Sequence, residues 1–261
     1  MTPRVLDPTI STRQIAPGIC ALAVMTKAPR AGKVKTRLTP PLTPEEASEL
    51  NIRFLRDITS SIAAATAGGR ARGIVVYTPV GEEDAFEGIL PEQFQLVLQR
   101  GEAFGDRLTF AMEDLLRLGF DSVCLINSDS PTVPPHAFVE AVEVLSAPED
   151  RMVLGPSDDG GYYLIGLKQL HRRMLADIDW STERVFEQTL QRAGELGLAV
   201  HLLPKWYDVD DRTTLHRLCG ELLDAKSGST IDNAPATREF LSGIIEREGR
   251  ARIWPEVVVV E

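Results

Sequence analysis

Ile19-Cys20-Ala21-Leu22-Ala23-Val24-Met25 is an unbroken apolar run, closed by Lys27, Pro29 and Gly32. A short run without polar alternation reads as a strand buried on both faces, as in a parallel sheet covered by helices. Further runs of this kind stand at residues 74–77, 94–98, 123–126 and 152–154. Helical periodicities separate them. Leu50, Phe54, Ile58 and Ile62 recur every four residues after Thr43, which precedes Pro44 and Glu46 as an N-cap precedes a first turn. Leu108, Met112, Leu115 and Leu116 mark a helix from Asp106, and Phe138, Val142 and Leu145 mark one opened by Pro134-Pro135. Strands alternating with helices predict an α/β fold built on a mostly parallel sheet with helices on both faces.

The rhythm continues with a strand at 162–165, a helix at 181–196, a strand at 199–203 and a helix at 211–223. Ser181 reads as the N-cap of the first of these helices, with Trp180 stapled to Val185. One domain over 19–224 is expected, after an N-terminal extension at 1–18. Residues 225–233 are polar and loop-like and read as a linker. Beyond them, Phe240, Leu241, Ile244 and Ile245 mark an amphipathic helix, and Val257 to Val260 suits an edge strand. This 225–261 tail docks on the domain or on a second subunit, which would make a homodimer.

A chain of 261 residues can bury a full core, and 43% apolar with 25% charged residues are globular proportions, so miniature scaffolds and wholesale disorder are excluded. A net charge of −10 repels a polyphosphate backbone and argues against nucleic acid as a partner. Cys20, Cys124 and Cys219 are far apart and form no CxxC pair, so neither a disulfide framework nor a cysteine metal cage is indicated. The run at 19–25 is too short to cross a bilayer, and residues 1–18 lack the apolar core of an export signal. A cytoplasmic protein without a membrane partner is expected.

In an acidic chain, local positive charge is informative. Lys27-Ala28-Pro29-Arg30-Ala31-Gly32-Lys33-Val34-Lys35-Thr36-Arg37 puts five cations into eleven residues directly after the first strand. Ligands of open α/β sheets bind beyond the carboxyl ends of the strands, which is where this loop begins. Gly32 would let backbone approach phosphate oxygens while the cations neutralise them; a solvated basic turn is the alternative. The spacing is neither a Walker sequence nor GxGxxG.

Asp129, in Asn127-Ser128-Asp129-Ser130-Pro131, follows another buried strand and suits Mg²⁺, which takes one or two protein carboxylates and leaves its other positions to water and substrate. An Asx-turn explains it equally. Asp208 and Asp210, if extended, point to one face, where one of them would complete a metal site while Asp211 caps the next helix. Gly155-Pro156-Ser157-Asp158-Asp159-Gly160-Gly161-Tyr162 is either a hairpin connection or a place where an acceptor lies against bare backbone, with Asp158 or Asp159 as contact or base. Arg107, at the start of a helix, is a further candidate anion contact. The four histidines show no metal spacing, and no GxSxG elbow is present.

Together, KAPRAGKVKTRL at 27–38, GDRL at 105–108, SDSP at 128–131, GPSDDGGYYLIG at 155–166, WST at 180–182 and DVD at 208–210 resemble a bacterial family of the nucleotide-diphospho-sugar transferase superfamily. The resemblance spans roughly residues 19–223. It implies the glycosyltransferase A fold and a nucleotide over the basic loop, met by Lys27, Pro29, Gly32, Lys33, Lys35, Arg37 and Arg107. It also implies Mg²⁺ (or Mn²⁺) on Asp129 and an aspartate near Asp210. Asn127-Ser128-Asp129 stands where many metal-dependent glycosyltransferases have DxD.

The first reaction expected is nucleotidyl transfer from an NTP to a small phosphorylated acceptor, with release of pyrophosphate. Lys35 and Arg37 then neutralise the reacting phosphates, and no protein nucleophile is required. The acceptor would meet Asp158, Asp159, Gly160, Gly161 and Tyr162. The alternative is glycosyl transfer from a nucleotide-sugar, with Asp158 or Asp159 as base; a second is a nucleotide-binding protein without catalysis.

Overall fold

The run quoted first forms the centre of the sheet in the computed structural model, which describes residues 2–10, 15–224 and 234–255. Strand β1 (Cys20–Lys27) pairs in parallel with β2 (Ala71–Thr78) on one side and β4 (Ser122–Ile126) on the other. Strand β3 (Gln95–Leu98) extends β2. Beyond β4 come β6 (Tyr162–Leu167), β5 (Arg151–Pro156) and β7 (Ala199–Leu202), giving the order β3-β2-β1-β4-β6-β5-β7. Only β6 runs against the others, so the expected mostly parallel sheet is present.

Alternate residues of β1 serve opposite layers, as pleat geometry dictates. Leu22 and Val24 pack with α1 (Pro44–Ala65) and α3 (Pro135–Ser146), while Ala21 and Ala23 pack with α2 (Phe104–Leu118) and α4 (Val185–Glu195). Both layers are apolar, which is why the strand carries no polar alternation. Thr43 caps α1 through a reciprocal bond set with Glu46, as the sequence predicts.

Three expectations are revised. The 1–18 extension joins the sheet: Val5 bridges Leu96, and Leu6 and Ile15 are buried in the α2 layer, covering the β3 edge. Ser181 is not a helix cap. It takes a left-handed φ of 64°, and α4 starts only at Val185 because Thr182 closes a local turn onto the Asp179 carbonyl. Trp180 packs edge-on against Phe104, at 5.1 Å between ring centres, rather than stapling Val185.

Helix α5 (Arg212–Leu223) is capped by Asp211, and α6 (Pro235–Glu248) docks on α1 and α5 of the same chain. Asp57 of α1 receives the Ala236 and Thr237 amides at the start of α6 and the Thr237 hydroxyl. The expected linker at 225–233 and edge strand at Val257 to Val260 lie outside the described residues. Among the described residues, no helix is long and apolar enough to cross a membrane.

Candidate functional site

The chain runs from β1 outward to β2 and β3, then returns to β4 on the other side of β1. That reversal leaves a crevice beyond the carboxyl ends of β1 and β4, where loops cannot cover the sheet. The basic loop leaves β1 there, and Asp129 leaves β4. Strand β6 enters from the same edge because it is antiparallel, so the loop at 157–161 joins them.

A backbone bond from Val209 N to the Asp129 carbonyl, 2.8 Å, lays the 208–210 segment beside the β4 loop. Their carboxylates enclose one cation. Lys35 Nζ donates to the Val209 carbonyl at 2.8 Å and Asp210 Oδ1 at 3.2 Å, and lies 2.5 Å from Asp129 Oδ1. Its side chain is 4% exposed and its ammonium sits 5.1 Å from the centre of the Phe54 ring. Lys35 has a left-handed backbone, φ 49°, uncommon outside glycine and characteristic of functional sites. Arg37, mostly exposed, donates to Asp210 Oδ2 at 2.6 Å.

Asp208 faces the same crevice but meets different partners. Its Oδ1 accepts from Asn127 Nδ2 at 2.7 Å and Ser130 Oγ at 2.6 Å. Burial chiefly raises its pKa to about 6; the hydrogen bond from Ser130 opposes this, and the charges of Asp129 and Asp159 add to it. The sequence offers Asp208 or Asp210 as a metal ligand but gives no sign of the raised pKa of Asp208, which depends on Asn127 and Ser130 of the β4 loop lying against it.

The crevice has two adjoining compartments of about 330 and 510 Å³. Lys27, Lys33, Lys35, Arg37 and Arg107 line the smaller, against Asp129 and Asp210. The larger holds Asp129, Asp159, Glu183, Asp208 and Asp210, with Arg37 as its one cation, and an aromatic wall of Phe104, Trp180, Tyr162 and Tyr163. Asp129, Asp210, Arg37 and Phe104 stand at the junction of the two.

Not every predicted contact residue reaches the crevice. Pro29 is buried and Gly32, at φ 70°, shapes the turn without lining either compartment. Asp158 is turned outward to Lys205 and Arg217, at 3.0 and 2.7 Å, and its hydrogen bonds from Arg217 and Lys205 hold its pKa below the usual carboxylate range. Asp159, Gly161 and Tyr162 do line the larger compartment. Gly160 faces the Glu183 backbone instead: a Cβ on it would stand 2.2 Å from the Glu183 carbonyl oxygen. It clamps the loop to the start of α4, and Phe186 N donates to its carbonyl at 2.8 Å.

Among the described residues, no three His, Cys, Asp or Glu side chains form a metal cage. The donor set nevertheless suits a hard divalent cation. Two carboxylates and one carbonyl already converge on a single positive charge, that of Lys35, and magnesium needs only one or two protein carboxylates when water and phosphate complete its shell.

The fold is α/β, with one mostly parallel seven-stranded sheet, and it matches that of a nucleotide-diphospho-sugar transferase-like structure, as the sequence motifs imply. A candidate nucleotide-diphospho-sugar transferase from Desulfovibrio desulfuricans G20 superposes with a TM-score of 0.76 at 27% identity, over 89% of this chain and 98% of that one. More narrowly, residues 61–182 match the bacterial family DUF2064, described as an uncharacterized protein conserved in bacteria. More distant likenesses include a cytidylyltransferase from Leptospira borgpetersenii, at 11% identity and a TM-score of 0.47 over 92% of this chain and 98% of that one. A mannosyltransferase from Pyrobaculum calidifontis in complex with GDP-Man and Mn²⁺ aligns at 12% identity and a TM-score of 0.47, over 93% of this chain and 78% of that one. No curated protein sequence matches the chain.

Proposed function

We propose that the protein is a divalent-metal-dependent glycosyltransferase that binds a nucleotide-sugar in the basic compartment and transfers its glycosyl group to a hydroxyl of a small acceptor in the acidic one. The observation that carries this reading is the division of charge. Five cations against two carboxylates line the smaller compartment, and five carboxylates against one guanidinium line the larger. A diphosphate suits the first. A phosphorylated acceptor would be repelled by the second, whereas a polyhydroxyl acceptor finds hydrogen-bond acceptors and an aromatic wall there.

Lys27 and Lys33 reach the donor's phosphates from the β1 loop, and Arg107 reaches them from the first turn of α2. Asp129 and Asp210 would hold Mg²⁺ or Mn²⁺, which would neutralise charge on the departing nucleoside diphosphate. Asp208 and Asp159 both line the acidic compartment, and either can accept the acceptor's hydroxyl proton.

A second reading, nucleotidyl transfer from an NTP to a phosphorylated acceptor, draws support from the number of cations, which would also balance a triphosphate. Incubation with a panel of nucleotide-sugars and NTPs, each with hydroxyl and phosphorylated acceptors, separates the two. Acceptor-dependent release of nucleoside diphosphate is expected, falling by about 10²-fold or more in Asp129→Ala, the scale of losing one preorganised charge contact. Pyrophosphate release would replace this reading with the second. Nucleotide binding without turnover on any acceptor would refute both.

A further inference from the structure

Lys35 stands where two roles meet, and its geometry permits only one at a time. An ammonium has three N–H donors. Here two of them are donated to the Val209 carbonyl and Asp210, and the Asp129 carboxylate forms an ion pair on a third side, so the ammonium is held away from any phosphate. The same Asp129 and Asp210 oxygens are those a divalent ion would take. Lys35 also lines the basic compartment, whose volume of about 330 Å³ offers its side chain a second place to go. Its backbone would not need to move, because the Leu38 amide, bonded to the Lys35 carbonyl at 2.9 Å, anchors the residue to the 3-10 turn over Thr36–Leu38.

We propose that Lys35 is a tethered latch: its ammonium holds Asp129 and Asp210 together until a divalent cation displaces it, and the displacement turns it toward the phosphates of the bound nucleotide. The inference rests on the reading of Asp129 and Asp210 as cation-holding residues given above. Two carboxylates left facing each other across a crevice repel, and a monocation supplied by the chain relieves that repulsion in the empty protein. A dication relieves it more fully. Metal and polyphosphate therefore bind with positive coupling, because the ion that enters releases a charge the phosphates need. Arg37 cannot act in this way, since it touches only Asp210 and is already exposed.

The wild-type protein provides the direct test. Brief acylation with acetic anhydride, read by peptide mass spectrometry, reports the accessibility of each lysine amine. Without metal, Lys35 should be protected while the exposed Lys27 and Lys33 react. Saturating Mn²⁺, its binding followed by electron paramagnetic resonance, should raise Lys35 labelling severalfold and leave Lys27 and Lys33 as internal standards. A second measurement uses Lys35→Met, which removes the competitor and should bind Mn²⁺ about tenfold more tightly in the absence of nucleotide. Unchanged Lys35 labelling with Mn²⁺ bound, failure of the nucleotide-free protein to bind Mn²⁺, or equal or weaker Mn²⁺ binding by a folded Lys35→Met would each overturn the latch. If the latch fails while acceptor-dependent turnover of a nucleotide-sugar persists, the transferase reading stands without it.

Discussion

Replacing Asp208 by Asn should make the protein more stable above neutral pH. The carboxyl is half-buried against the β4 loop, and its pKa of about 6 lies above the ordinary 3.8 of an aspartate, so the folded chain binds this proton more tightly than the unfolded chain. Stability from that preference is complete below about pH 4 and is lost as pH rises through about 6. Roughly two pKa units at 1.36 kcal/mol each give an upper bound of about 3 kcal/mol for the cost of holding the charge at alkaline pH. The Asp208→Asn side chain keeps an oxygen for Asn127 Nδ2 and Ser130 Oγ and carries no charge to bury. Its advantage over wild type should therefore widen by roughly 1.5 kcal/mol between about pH 5 and about pH 8. Urea denaturation of both proteins at those two pH values, in EDTA, measures the difference. A gap that does not change with pH, or one that narrows on the alkaline side, would show that Asp208 is already ionised at little cost and that its burial is not what raises its pKa.

Two glycines give further tests. Gly160→Ala puts a methyl group 2.2 Å from the Glu183 carbonyl oxygen at a backbone φ of 85°, so the 157–161 loop must leave α4. Thermal unfolding should show a loss of about 2 kcal/mol or more, and an unshifted midpoint would mean that the loop is not clamped there. Gly105→Ala would stand 2.5 Å from Trp180 Nε1 and push that ring off Phe104. Trp180 lines only the acidic compartment, so the KM for acceptor should rise while the KM for donor holds. Equal changes in both would contradict the separation of compartments.

The sequence by itself determined the sheet and most of its covering. The apolar run of β1 has one physical explanation in a chain of this composition, burial on both faces, and Thr43 with Pro44 and Glu46 announces α1 through local bonds alone. The charge of the 27–37 loop, and its exit from a strand end, were legible for the same reason: both are local in the chain. The start of α4 was not. Ser181 looks like a cap, but the turn closed by Thr182 and the contact of Gly160 with the Glu183 backbone govern that segment, and the second of these comes from another loop.

The site itself was decided by tertiary structure. Which way Asp158 and Asp159 turn depends on Lys205 and Arg217, which claim the first and leave the second in the crevice. The elevated pKa of Asp208 needs a loop laid over it from β4. The meeting of Lys35 with Asp129 and Asp210 joins side chains far apart in the chain, the second of these 175 positions away. Periodicity and composition report how each segment partitions between water and core, whereas the field at a charged atom depends on neighbours that only the closed fold supplies.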